Sequence, residues 1–139
     1  MSDPRDLTRY LPLSTRPRHD ESAVDDDWGT RLAVLVSAGA SGAAVDRALA
    51  RRRVRIGDLG AALAEAWETH PGLAVDATTS GAVALARTLA APLPIRAVVR
   101  GRTLRATDAG WEFGSGPELA GTARELVLFL YGRGPVPSA

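Results

Sequence analysis

The side chains in this sequence that could carry chemistry are its arginines, a few carboxylates and two histidines. Cysteine and lysine are absent, and all 17 basic residues are arginine. Without cysteine there is no thiolate nucleophile, no disulfide and no sulfur ligand for a metal. A metal would need imidazole and carboxylate, and EAWETH offers Glu65 and His70. Five residues apart on an ideal helix, they point roughly 140° away from each other. The other imidazole, His19, falls in a distant proline-rich stretch. We therefore expect no metal site, and we read His70 as a helix-end residue near the last carbonyls before Pro71. Asp108 and Glu112 flank a turn, where an aspartate ordinarily bonds backbone amides two residues on. Nothing in the sequence resembles a Ser-His-Asp triad.

RALARRRVR gathers Arg47, Arg51, Arg52, Arg53 and Arg55. Such a cluster can grip phosphates. No aromatic side chain for stacking lies nearby, however, and a net charge of +1 gives no overall attraction to nucleic acid. A solvated helix face is the expected reading, and nucleic-acid association is the alternative. GSGP lacks the Gly-Lys-Ser/Thr ending of a phosphate loop and is expected to be a turn. The arginine bias, beside abundant alanine and glycine, fits a GC-rich bacterial genome.

These residues must be positioned by a small fold. A chain of 139 residues has room for one compact core, and 45% hydrophobic with 24% charged residues is ordinary for a soluble domain. No apolar leader opens the sequence and no apolar run approaches the roughly 18 residues of a membrane span, so we expect a cytoplasmic protein that does not engage a membrane. Residues 1–27 hold three prolines, a basic middle and the acidic DESAVDDD, without apolar periodicity. They are expected to form a flexible arm, read as a disordered tail with docking through Tyr10, Leu11 and Leu13 as the alternative, ahead of a single α+β domain over residues 28–139.

Within that domain the period is first helical. WGTRLAVLVSAG predicts one helix and SGAAVDRALARRR a second, with Ser41 as N-cap. A third follows Asp58, with Leu59, Ala62, Leu63, Ala66 and Trp67 on one stripe before Pro71-Gly72. A fourth starts near Thr79 or Ser80 and runs to the Pro92–Pro94 break. The period then changes to two: Ile95, Ala97 and Val99 alternate with Arg96, Val98 and Arg100, which predicts a strand. Gly101 turns into Leu104 and Ala106, TDAG makes a second turn, and Trp111 and Phe113 share one face of the next strand. The expectation is three or four antiparallel strands.

Thr122 and Glu125 form a capping box, and Leu126 through Tyr131 are apolar nearly all round, with Gly132 suited to the left-handed C-terminal position. A helix without a polar face must be covered on both sides. One side can be the sheet; the other must be the earlier helices or a partner chain. The fold class expected is therefore α+β: N-terminal helices packed on a small antiparallel sheet, with a buried C-terminal helix and a homo-oligomer or protein partner.

LRATDAGWEFGSGPELAGTARELVLFLYGR, with its TD-x-G-W hairpin, G-x-GP turn and Gly-Arg-terminated apolar helix in that order, resembles the C-terminal domain of the mycothiol-dependent maleylpyruvate isomerase family. The likeness covers about residues 94–133. It implies a sterol-carrier-like α/β unit, which in the family follows a metal-binding helical bundle with a Glu-x-x-x-His pair. EAWETH departs from that spacing by one residue, and 139 residues leave no room for the bundle. The resemblance further implies that Arg133, the arginine of the final Gly-Arg, faces a pocket bounded by the sheet around Trp111. There it would hold a carboxylate of a small substrate or of a thiol cofactor, mycothiol; without the metal domain, a solvated helix-end cation is the reading placed ahead for Arg133. We thus expect a non-catalytic domain that binds a small anionic or apolar ligand or a protein. An isomerase-type enzyme whose metal site comes from a partner chain is the alternative.

Overall fold

Four helical stretches come first, as the 3.6-residue periodicity predicts, and a fifth occupies the segment expected as a strand. The computed structural model of the chain describes residues 28–137; the expected arm, with Tyr10, Leu11, Leu13 and His19, lies outside them. Residues 28–37 form α1. They are followed by α2 (Ala43–Leu49), α3 (Ile56–Thr69), α4 (Ala77–Ala90), α5 (Leu93–Val99), β1 (Thr103–Ala106), β2 (Glu112–Gly114), β3 (Glu118–Gly121) and α6 (Ala123–Leu130). The class is α+β, with six helices and a three-stranded sheet among the described residues.

The helix starts differ in detail from expectation because caps came from other residues. In α3 the N-cap is Arg55, and Asp58 sits in the first turn, accepting the Arg55 backbone amide at 3.0 Å. Ser41 does not cap α2. Gly42 holds the N-cap position, and the Glu65 carboxylate reaches over from α3 to accept the Ala44 amide at 2.7 Å. In α4 the cap is Asp76, whose side chain accepts the Thr79 amide at 3.2 Å.

The strand expected over Ile95–Arg100 is the helix α5. Ile95, Val98 and Val99 satisfy helical spacing as well as they satisfy alternation, and these three turn inward while Arg96, Ala97 and Arg100 are exposed. Pro92 at the N-cap and Pro94 in the first turn decide between the two. Proline has no amide to lose there, and its fixed φ suits a helix start.

The sheet is mixed, in the order β2-β1-β3. β1 pairs with β2 antiparallel, as expected, but with β3 in parallel. GSGP is the reason. Leaving β2, the chain crosses under the start of β1, where the Thr103 amide donates to Pro117 O at 2.9 Å and its hydroxyl to Gly116 O at 3.0 Å. Gly116 has φ 106, and a Cβ there would lie 2.8 Å from the Gly101 carbonyl carbon. Only glycine passes that crossing.

The capping box of α6 forms as predicted: Thr122 Oγ1 accepts the Glu125 amide at 3.1 Å, and Glu125 Oε1 accepts the Thr122 amide at 2.9 Å. At the other end Gly132 takes φ 72, and the Arg133 and Gly132 amides donate to Leu128 O and Phe129 O at 2.8 and 2.9 Å. This is the paired-bond helix stop for which glycine is favoured. Leu126 through Leu130 are all buried, because α6 packs on α3 and α4 as well as on β1 and β3. The earlier helices cover the face that could have called for a partner. No single helix among the described residues is long and apolar enough to cross a membrane.

Candidate functional site

The TDAG turn is tied to the start of α6 by hydrogen bonds from Thr107 and to Asp108. The Thr107 amide donates to Gly121 O at 2.8 Å, and the Asp108 carboxylate accepts the Ala123 amide at 2.8 Å. An acid at a helix start satisfies an orphan amide and complements the positive end of the helix dipole. The capping box occupies the Glu125 and Thr122 amides as well.

Opposite this junction lies the 70–76 connection between α3 and α4. Its course is fixed by Trp67, which is buried and donates its indole N–H to Leu73 O at 2.9 Å. Between the two runs a cleft of about 400 Å³, walled by Trp67, Leu73, Val75 and Ala109, with Asp108 and Arg124 on its rim. That volume lies within the range of small-molecule sites. Arg124 is half-buried, and among the described residues no ion pair or side-chain hydrogen bond holds its guanidinium. It stands in the first turn of α6, where a cation opposes the helix dipole.

Beyond the cleft, at the start of α4, Asp76 accepts the Thr79 hydroxyl at 2.6 Å and Arg31 at 3.2 Å. The Thr79 hydroxyl bond, more than any other interaction, holds the Asp76 carboxyl below its ordinary value of 3.8. The Thr79 amide and Arg31 act in the same direction, against a raising effect of burial.

The residues singled out from sequence lie elsewhere. Trp111 donates its indole N–H to the buried Ser80 hydroxyl at 3.0 Å and stacks on Phe113 with ring centroids 5.5 Å apart, so it anchors the sheet on α4. Arg133 is exposed and pairs with Glu68. Neither lines the Trp67–Arg124 cleft. Of the arginine cluster, Arg47 is in the last turn of α2, Arg51 pairs with Asp58 at 3.3 Å, and Arg53 and Arg55 border a hollow of about 270 Å³ beside Trp28. Arg52 is exposed in the same connection. Glu65 caps α2 while His70 ends α3, its backbone amide on Ala66 O at 2.7 Å. Among the described residues no three His, Asp or Glu side chains gather as metal ligands. Glu112 lies on β2 opposite Arg105.

Arg124 is the site residue that the sequence reading missed. Its signal was present: an arginine two positions after a capping threonine, where helices favour acids. Comparison of the chain with protein-family models, with curated proteins and with solved structures found no match.

Proposed function

We propose that the chain is a binding domain, related to the C-terminal domain of the mycothiol-dependent isomerases, that takes a small anionic ligand with an apolar body. What carries the reading is Arg124, a half-buried arginine with no ion pair among the described residues, beside Trp67, Leu73 and Val75 in the lining of one cleft. The body would lie against Trp67, Leu73 and Val75, and a carboxylate would meet Arg124 in a bidentate pair. Asp108 holds the Ala123 amide, and Arg124 is the cation that the cleft offers an anion, beside the side chains of Trp67, Leu73 and Val75. The family string supports the reading because TDAG and GTARE build one wall of this cleft.

Titration with 1-naphthoate, followed by tryptophan emission, tests it; 1-naphthalenemethanol is the uncharged control. A hydrogen-bonded charge is worth about 1.5–3 kcal/mol, so the parent should prefer the carboxylate by roughly tenfold or more. Arg124→Gln should abolish that preference. Equal affinity of parent and variant for the carboxylate would remove the site.

A further inference from the structure

Among the described residues nothing packs over the outer face of α4, which apart from one threonine at its start is apolar. Thr78, Ala82, Leu85 and Leu89 recur at spacings of four, three and four, the pattern of a two-stranded helical seam. On an ideal helix they fall within an arc of about 60°, away from the buried Thr79, Ser80, Val83 and Ala84. Leu85 is 48% exposed, Leu89 75%, and Leu93, at the start of α5, 69%. Large apolar side chains left open together mark a contact surface.

The face also lacks charge. The one ionisable residue of α4 is Arg87, which turns the other way: its Nε donates to Leu130 O at 3.0 Å and its guanidinium lies 4.3 Å from the centre of the Tyr131 ring. Charges stand only at the ends. At the N-terminal end the Asp76 carboxylate, bonded to Arg31, keeps 59% exposure. At the C-terminal end Arg96 and Arg100 border a groove of about 410 Å³ together with Thr88 and Leu93.

We propose that a second copy of the chain docks on this face, with the two α4 helices antiparallel. Size decides the direction. The seam begins with two small residues, threonine and alanine, and ends with two leucines. Antiparallel alignment therefore sets Thr78 against Leu89 and Ala82 against Leu85, one smaller and one larger residue in every layer. Parallel alignment would stack alanine on alanine and leucine on leucine, which cannot both close at one helix separation. Either alignment leaves each Thr78 at an end of the seam, where its hydroxyl stays in reach of water, as a polar group without a protein partner requires. Charge agrees, because the antiparallel arrangement brings each Arg96–Arg100 end toward the partner's Asp76 end and opposes the two helix dipoles. The seam is only about 16 Å long. Such a contact falls at the small end of specific interfaces, so the dimer is weak and depends on concentration. The inference is independent of the cleft, which touches α4 only at Ala77.

The chain has no cysteine, so cross-linking can report the geometry. Thr78→Cys and Leu89→Cys chains are mixed in full-length form and mildly oxidised. A disulfide needs Cβ atoms within about 4.5 Å, so the mixture should cross-link about tenfold more than either variant alone. Sedimentation of the parent up to about 1 mM should show a rising mean mass, a range that reaches weak complexes. Leu89→Glu and, separately, Leu85→Ser should remain monomeric with the parent's melting curve. Stronger cross-linking within one variant than between the two would overturn the antiparallel pairing. A strictly monomeric parent, or variants that associate like it, would overturn the proposal and leave the face to residues 1–27 or to a different protein.

Discussion

Replacing Gly60 by alanine should destabilise this protein, although the same change in most helices does the opposite. Gly60 is buried in the interior of α3, where alanine ordinarily gains about 1 kcal/mol in helix propensity. Here an added Cβ would overlap the Tyr131 hydroxyl and lie 2.8 Å from its Cζ and 3.2 Å from Val83 Cγ1. The ring has little freedom to step aside. Arg87 covers one face at 4.3 Å while its Nε holds Leu130 O, and the Gly132 helix stop follows directly. Overpacking costs about 1–3 kcal/mol, and disturbing a partly desolvated cation–π contact adds about 0.5–2 kcal/mol. Against the propensity gain, a net loss of about 0.5–4 kcal/mol is expected. In a domain of this size that lowers the melting temperature by roughly 3–5 °C per kcal/mol.

A double-mutant cycle isolates the cause. Tyr131→Phe removes the overlapping oxygen, so Gly60→Ala should cost at least about 1 kcal/mol less in that background than in the parent. Denaturant unfolding with an unchanged slope supplies the free energies. If Gly60→Ala stabilises the parent, or the two changes add within about 0.5 kcal/mol, the contact does not act as argued.

Two further predictions concern charge. The folded Asp76 carboxyl titrates below 3.8, so on acidification the unfolded chain takes up the proton first; the Asp76 contribution is complete above about pH 4–5 and disappears as pH falls through the folded value. Asp76→Asn keeps a capping oxygen for the Thr79 amide but does not titrate, so its melting temperature should fall less steeply from about pH 5 down to about pH 2–3; an acid limb as steep as the parent's would count against the assignment. Arg133→Lys should shift stability by no more than about 0.5 kcal/mol, since Arg133 makes an exposed pair with Glu68, and should leave naphthoate binding unchanged; weaker binding in this variant would move the site from Arg124 to Arg133.

What was legible in the sequence was what bonds locally. The Thr122–Glu125 box and the Gly132 stop each close within a few residues, so their residue types alone predict them. α5 was not legible by alternation, because Ile95 and Val99 fit a period of two and a helical turn equally, and the prolines before them mark a start as readily as a break. The parallel strand was hidden for a different reason. β3 finds β1 across eleven intervening residues, and what selects that side is the crossing under Gly101–Thr103, visible only once the backbones meet. The cleft depends on a similar meeting, between the 70–76 connection and the TDAG turn.

In and beside that cleft the polar residues of the TDAG turn and the start of α6 divide into those already engaged and one that, among the described residues, is not. Thr107 donates to Gly121 O, Asp108 holds the Ala123 amide, and Thr122 and Glu125 hold each other. Arg124 alone has no such work, and as a cation in the first turn of α6 it opposes the dipole by about 0.3–1 kcal/mol. A fold selected for stability alone would not place arginine there. The variant that abolishes carboxylate preference should therefore also be slightly more stable: Arg124→Gln keeps the apolar stem and removes the unfavourable charge, for a gain of about 0.3–1 kcal/mol. Stability and binding would then trade against each other at one side chain, as they do where a residue is retained for its ligand. Paired denaturation and naphthoate titrations of parent and variant measure both at once. A loss of more than about 1 kcal/mol in Arg124→Gln would show that the side chain holds the fold together, and the case for a ligand would lose its main support.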